Sequence, residues 1–150
     1  MARPDFEFAW PFRVRYSEVD GQMIVFNAHY LTYFDTAITE YFRALPYDYR
    51  GQVARMGEDF HTVRTLVEYQ RPITFDEDIE VYVRTSRLGR SSITFLLEIH
   101  PQGRDDLRAT GEVVWVNTDQ ETHKSAAVPG ELVDKIVALE GANLERQGAS

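Results

Sequence analysis

Hydrophobic residues recur with two different periods along this chain, and the change of period marks the predicted elements. Apolar and polar residues alternate from Phe12 to Val19, which predicts a first β-strand. From Ala28 to Leu45, apolar and aromatic residues fill about half of a helical wheel. The pattern predicts a long helix that starts near Asn27 and ends before Pro46, because proline biases the preceding residue away from helical geometry. A helix with so wide an apolar arc needs broad cover, so we expect a sheet to wrap around it.

Four more alternating segments follow the helix, after an irregular stretch in which residues 53–56 are expected to form a short helical turn. They predict strands over residues 61–72, 76–87, 91–100 and 107–118. Short turns join these strands, and strands joined in this way form an antiparallel sheet. Pro129 and Gly130 open a short amphipathic C-terminal helix, predicted over residues 129–141, and residues 144–150 are expected to be a frayed tail.

The order of these elements defines the expected architecture. A curved antiparallel sheet wrapped around one long central helix is an α+β arrangement, and we expect one domain over residues 1–150 with a core of about 12–118. The open edges of such a sheet favour pairing with a second copy of the chain.

Composition narrows the classes of function. The chain has 150 residues, of which 43% are hydrophobic, a content typical of a globular domain. It contains no cysteine, which excludes disulfides, a thiol nucleophile and thiolate metal ligands. The formal net charge of −8 argues against nucleic acid as a partner. No run of signal-peptide or membrane-spanning character is present, so we expect no membrane insertion and a cytoplasmic location.

Candidate chemistry lies where the first strand meets the helix. Asp20 follows the strand, and Asn27 is predicted to be the N-cap of the helix, whose free N–H groups can hold a developing negative charge. Spacing alone favours an ordinary turn residue at Asp20, since aspartate is common after strands. Asp35, at the boundary of the apolar arc, is the rival carboxylate, and Glu18 is expected to be solvated.

The segment DGQMIVFNAHY, residues 20–30, resembles the signature loop of hotdog-fold acyl-CoA thioesterases, in particular the 4-hydroxybenzoyl-CoA thioesterase-like branch. In that pattern an aspartate follows the first strand, a hydrophobic pair comes next, and a tyrosine stands ten positions after the aspartate. Asp20 and Tyr30 match this spacing. Later strand and hairpin features are also similar, so that the likeness covers about residues 12–118. These similar strand and hairpin features are Tyr69, Pro72, the turn at 76–78, and the hairpin RLGRSS at 87–92.

One position departs from the family pattern. Glycine usually stands three positions after the aspartate, and here that position is Met23, while Gly21 follows the aspartate directly. If the usual glycine serves a positive φ angle, we expect the loop to be built differently in this chain.

The resemblance implies a hotdog fold, hydrolysis of an acyl-CoA or acyl-carrier-protein thioester, and a role for each matching residue. Asp20 would be the nucleophile or general base, and the backbone N–H near Asn27 would polarise the thioester carbonyl. Seven residues would bind the substrate. They are Phe26, Tyr30, Arg87, Gly89, Arg90, Ser91 and Ser92. The resemblance also implies a homodimer or homotetramer with a site between two subunits, and no metal or other cofactor.

Two alternatives stay open at this stage. A hotdog dehydratase or hydratase would use a histidine paired with an acid, and no histidine of this sequence stands in a matching motif or at metal-ligand spacing. A non-catalytic acyl-CoA-binding module would bind the thioester without hydrolysing it.

Overall fold

The computed structural model of the chain describes residues 4–146 and confirms the predicted α+β architecture, an antiparallel sheet around one long helix. The strands are β1 (Phe8–Arg13), β2 (Glu58–Tyr69), β3 (Asp78–Leu88), β4 (Ser92–Pro101), β5 (Ala109–Asp119) and β6 (Glu145–Arg146). The helices are α1 (His29–Ala44), α2 (Tyr49–Met56) and α3 (Gly130–Glu140).

The sheet has one broken edge and one continuous edge. Its strand order is β1-β3-β4-β5-β2, with antiparallel neighbours throughout. β1 pairs with the first half of β3, and the short β6 pairs in parallel with the end of β3. β2 forms the other edge over 12 residues, with a register shift between Thr62 and Arg64.

Helix α1 lies against the sheet through its predicted apolar face. Seven of its residues are buried, as the half-wheel pattern requires. They are Tyr30, Tyr33, Phe34, Ala37, Ile38, Tyr41 and Phe42. The sheet meets them with the inward-facing residues of its central strands, so that the core lies between α1 and β3, β4 and β5.

The predicted first strand is wrong in position. The chain pairs with β3 as β1, Phe8–Arg13, and then leaves the sheet, because the Val14 N–H bonds to the carbonyl of Glu77 outside the ladder. Tyr16–Glu18 forms a 3₁₀ turn instead. The alternating pattern failed here because Tyr16, which it places on the buried face with Phe12 and Val14, is 72% exposed.

Two further predictions, the helical turn at 53–56 and the frayed tail at 144–150, are corrected because the structure has more regular secondary structure there. The predicted turn at 53–56 is the second half of α2, which starts at Tyr49 behind an Asp48 cap whose side chain accepts from the Gly51 N–H. The predicted frayed tail is ordered in its first part, since Leu144 packs on the core and β6 pairs with β3. Residues 147–150 of that prediction lie outside the described residues. Between residues 4 and 146 no helix is long and apolar enough to cross a membrane.

Candidate active site

Asp20 is held in a tight loop that its own atoms close. Its N–H donates to the Ile24 carbonyl, and its carbonyl accepts from the Met23 N–H, both at 2.9 Å. One carboxylate oxygen, Oδ1, accepts from the Gln22 N–H at 2.8 Å. Among the hydrogen bonds of the described chain none uses the second oxygen, Oδ2. Asp20 is therefore both a turn residue and a carboxylate with one oxygen available.

Met23 occupies the position where the family pattern has glycine, and it adopts the glycine conformation. Its φ angle is +62°, in the left-handed region that non-glycine residues seldom adopt. The absence of glycine at this position therefore does not prevent a positive φ angle in this chain.

Glu18 is buried, which corrects the expectation that it is solvated. Its carboxylate accepts hydrogen bonds from the backbone and side chain of Arg15 and from the Tyr33 hydroxyl of α1, at 2.6–2.9 Å. Burial by itself raises the pKa of the Glu18 carboxyl, but these hydrogen bonds outweigh it and leave the pKa below its ordinary value. The Glu18 carbonyl also accepts from the Phe26 N–H, so this residue ties both ends of the Asp20 loop to the helix.

Asn27 is not the N-cap of α1. The helix begins at His29 after Ala28, and no side chain caps it. Within residues 4–146, no hydrogen bond has the N–H of Asn27 or Ala28 as its donor, whereas the next two N–H groups bond to the carbonyls of Phe26 and Asn27. The start of α1 therefore presents two unpaired donors at the positive end of the helix dipole.

A cavity of about 470 Å³ joins the Asp20 loop to the start of α1. It is lined by Asp20, Ile24, Val25, Phe26, Asn27, Tyr30, Tyr69, Gln70, Arg71 and Pro72. We call it the Asp20 cavity. The structure thus brings together four predicted site residues. Two are the catalytic candidates Asp20 and Asn27, and two are the predicted substrate-binding residues Phe26 and Tyr30. The sequence analysis did not assign residues 70–72 to the site, because no local signal shows that the segment after β2 will face the Asp20 loop.

Two tyrosines shape the wall of the Asp20 cavity. The Tyr30 and Tyr69 rings meet edge to face with centroids 4.8 Å apart, and the Tyr69 hydroxyl donates to the Asn27 carbonyl at 3.2 Å. Burial raises the pKa of Tyr30 to about 12, so its hydroxyl stays protonated at neutral pH. The cavity therefore offers one carboxylate, backbone donors and aromatic walls, a set suited to polarising and attacking a carbonyl.

The predicted hairpin residues lie elsewhere in the chain. Gly89 and Ser92 close the β3–β4 turn, and the Ser91 carbonyl accepts from the Asn117 N–H near the end of β5. Tyr69 of the Asp20 cavity pairs with Ala109 at the start of β5. Eight residues of strand separate these points, roughly 26 Å. Arg87, Gly89, Arg90, Ser91 and Ser92 are thus at the opposite end of the sheet from Asp20 in one chain.

The rival carboxylate, Asp35, lies in a separate depression of about 150 Å³. Leu31 and Phe34 of α1 and Thr62, Thr65 and Val113 of the sheet complete its lining. Burial raises the pKa of the Asp35 carboxyl above its ordinary value. Asp35 therefore does not share the cavity of Asp20 within one chain.

No group of three or more metal-ligating side chains occurs within the part of the chain that the structure describes. The most buried histidine, His100, has its Nε2 2.8 Å from a Glu98 carboxylate oxygen, while its Nδ1 accepts from the Asp106 N–H. These contacts give His100 a structural role.

Comparison with known proteins places the chain in a family. Residues 14–136 match the model of the thioesterase-like superfamily, and the chain belongs to this family. The match spans both the Asp20 loop and the four long strands β2 to β5. The predicted class of enzyme, a thioester hydrolase, and the predicted hotdog fold are confirmed.

Relatives of similar length support this assignment. The acyl-CoA thioester hydrolase YbgC of Escherichia coli is 29% identical over 128 residues, which are 84% of this chain and 92% of that protein. The PA5185 protein of Pseudomonas aeruginosa has a solved structure that matches with a TM-score of 0.82 and 28% identity, over 93% of this chain and 96% of that one. A 1,4-dihydroxy-2-naphthoyl-CoA thioesterase from Synechocystis shares the fold, with a TM-score of 0.82, 15% identity, and 88% and 96% coverage.

Proposed function

We propose that the chain hydrolyses an acyl-CoA thioester to a free acid and CoA, with Asp20 as nucleophile or general base. The observation that carries this proposal is the Asp20 cavity, where a carboxylate with an available oxygen and the start of α1 line the same space. The CoA carrier is suggested by the name of the YbgC relative. Thioesters of acyl carrier protein are the alternative substrate, and a cytoplasmic location remains a prediction.

The two unpaired N–H groups at the start of α1 supply the second half of the chemistry. When the thioester oxygen lies against Asn27 and Ala28, their N–H groups donate to it and stabilise the negative charge that develops on attack. As general base, Asp20 takes a proton from water while the water oxygen attacks the carbonyl carbon. As nucleophile, it attacks that carbon itself and forms an anhydride that water then cleaves. In both routes the C–S bond breaks and the thiolate of CoA leaves and is protonated.

A second copy of the chain fits the continuous edge of the sheet. Strand β2 offers one unpaired side over 12 residues and exposes Val63, Leu66 and Tyr69, by 59%, 43% and 52%. The other edge is broken between β1 and β6 and contains Pro11, which cannot donate to a ladder. We therefore place the dimer contact along β2, where it covers exposed apolar side chains and satisfies an open row of backbone groups.

The same contact brings the distant hairpin to the site. Antiparallel pairing of β2 with its copy is two-fold symmetric, so the far end of one sheet lies beside the near end of the other. The partner's hairpin, with Arg87 and Arg90, then approaches the Asp20 cavity. Among the contacts of residues 4–146, neither arginine side chain has a hydrogen-bond or ion-pair partner. They are available for the phosphates of CoA.

The proposal is tested by thiol release from a panel of short, long and aromatic acyl-CoAs. Asp20→Asn keeps an oxygen for the Gln22 N–H and removes the negative charge, so we expect a folded protein with at least about 100-fold lower kcat/KM. Asp119→Asn is the matched control. The Asp119 carboxylate accepts a hydrogen bond from the N–H two residues later, that of Glu121, as Asp20 does from Gln22, but it lies in a remote turn. We expect unchanged turnover in EDTA, since the proposed reaction needs no metal.

Other outcomes lead to other functions. Full turnover by Asp20→Asn would remove Asp20 from the mechanism. Binding of acyl-CoA without thiol release would favour the non-catalytic module, and hydration of an enoyl-CoA would favour the hydratase. No histidine lines the Asp20 cavity as the structure describes it, so the geometry does not favour the hydratase.

A further inference from the structure

Three depressions lie end to end between helix α1 and strand β2. The first is the Asp20 cavity, with Asn27 and Tyr30 at the start of α1 and Tyr69 at the end of β2. The second contains Asp35 and the middle of β2. The third has a volume of about 570 Å³ and lies at the end of α1 and the start of β2. Together they form a furrow, which we call the α1–β2 furrow.

The third depression, here the distal cavity, is built around the first turn of α2. Its lining is Thr39, Phe42, Arg43, Tyr47, Asp48, Tyr49, Arg50, Val53 and Asp59. The Tyr49 hydroxyl donates to the Asp59 carboxylate at 2.6 Å, which fixes the ring, and the ring lies 5.5 Å from that of Phe42. Val53, one turn after Tyr49 on α2, is 42% exposed. The distal cavity thus combines a rigid aromatic wall and one exposed aliphatic side chain with five polar or charged lining residues.

Within one chain the distal cavity is too far from Asp20 to serve it. From His29 to Arg43 helix α1 rises about 21 Å. The proposed dimer changes this relationship. The two-fold axis of an antiparallel strand pair is perpendicular to the sheet, so both α1 helices lie on the same face and the two furrows run side by side in opposite directions. Pairing of β2 over its full length sets Tyr69 of one chain opposite the partner subunit's Glu58.

We propose that the distal cavity of each subunit forms the acyl-binding wall for the partner's Asp20, and that Val53 sets the size of acyl group accepted. The inference rests on the proposed function and on the dimer contact along β2. The acyl group, attached to a carbonyl at the start of one α1, extends across the contact toward Tyr49 and Val53 of the other subunit. The aromatic and aliphatic wall suits a bulky apolar acyl group, aromatic or of medium chain length.

The first test is Val53→Trp, which fills the cavity from an exposed position and should leave the fold intact. We expect loss of thiol release from the bulky acyl-CoAs by at least about 10-fold in kcat/KM, with the shortest acyl-CoA retained. Met56→Trp is the matched control, because Met56 lies on the same helix with 45% exposure and does not line the cavity. An unchanged acyl profile in Val53→Trp would overturn the proposal.

The second test asks whether the wall acts across the dimer. Asp20→Asn and Val53→Trp chains are mixed, and mixed dimers are verified by native mass spectrometry. In a mixed dimer one site has both changes and the other has neither. Equal amounts of the two chains make about half of the dimers mixed, so turnover of a bulky acyl-CoA by the mixture should return to about a quarter of the wild-type rate. If both residues act within one chain, no mixed site is intact and no turnover returns, which would reject the assignment.

Failure of the proposed function gives a different result. If the wild type releases no thiol from any acyl-CoA, hydrolysis is rejected independently of the wall. The dependence of acyl-CoA binding on acyl size, measured by calorimetry on wild type and Val53→Trp, then decides the role of Val53. Equal size dependence in the two proteins would overturn it.

Discussion

The hydroxyl of Tyr33 donates a 2.8 Å hydrogen bond to the carboxylate of Glu18, and both residues are buried. This contact joins helix α1 to the turn that precedes Asp20. The Glu18 carbonyl also accepts a hydrogen bond from the Phe26 N–H. Hydrogen bonds of Glu18 therefore connect the residues before and after the Asp20 loop to each other and to α1. Glu18 is therefore a positioning residue, which orients the Asp20 loop without lining the Asp20 cavity.

Replacing Glu18 by Gln should destabilise the protein by about 1.5–3 kcal/mol at pH 7, since hydrogen bonds to a charged group are lost. The pKa of the Glu18 carboxyl is lowered on folding, so its stabilisation is present above its ordinary pKa of 4.5 and is lost as the pH falls below that value. Urea unfolding of wild type and Glu18→Gln between pH 3 and pH 7 should show curves that converge in acid. A constant difference across this range would contradict the role assigned to the charge.

Met23 offers a test of the strained loop. A left-handed conformation costs a non-glycine residue roughly 1–2 kcal/mol, part of which glycine gives back through the entropy of its unfolded chain. Met23→Gly should therefore stabilise the protein by about 0.5–1 kcal/mol in urea unfolding, and Met23→Val should destabilise it. His123→Gly is the control, because His123 has a φ angle of +61° in a remote turn. It shows how much stability glycine adds at another positive φ angle. A loss of stability in Met23→Gly would show that the methionine side chain stabilises the loop by its contacts.

The fold could be predicted from the sequence because it depends on periodicity. The helical period of residues 28–45 and the strand alternation report burial directly, and the α+β architecture follows from their order. The Asp20 loop was identified differently, through the resemblance of residues 20–30 to a family pattern. These patterns lie within short segments of the sequence, so they can be recognised without three-dimensional information.

The remaining parts of the site depend on contacts between distant residues. Glu18 was expected to be solvated, because nothing near it in the sequence reveals Tyr33 as its partner, 15 residues later. The prediction that Asn27 is the N-cap of α1 was wrong, because a capping residue type does not fix where a helix begins. The hairpin at 87–92 was assigned correctly to a turn, but its distance from Asp20 follows from strand order alone.

Gly111 of β5 fixes the distance between the sheet and α1. An added Cβ there would lie 2.6 Å from Cζ of the buried Phe34 ring and closer still to Cε2. Gly111→Ala should therefore destabilise the protein by about 1–3 kcal/mol through overpacking. Gly130→Ala is the control, because an added Cβ there meets no atom within 4 Å.

A double-mutant cycle identifies the clash at Gly111. Phe34→Leu removes the ring atoms that the new methyl group meets, so the Gly111→Ala cost should fall by at least about 0.5 kcal/mol in the Phe34→Leu background. Free energies of unfolding in urea give all four corners of the cycle. Strict additivity would show that the two side chains do not clash.

Glu140 of α3 should respond to pH in the opposite sense to Glu18. Its buried carboxylate accepts from the Tyr41 hydroxyl at 2.6 Å and from the Thr85 N–H at 2.9 Å, while its Oε1 is buried and has no partner in the described chain. Burial raises the pKa of this carboxyl above its ordinary 4.5, and these hydrogen bonds offset only part of the rise. Its contribution to stability is therefore complete in acid and declines as the pH rises through the raised value. Relative to Glu140→Gln, wild type should lose stability between pH 4.5 and pH 8 in urea unfolding. A difference that stayed constant, or that moved in favour of wild type as the pH rose, would mean that Glu140 keeps its charge without cost.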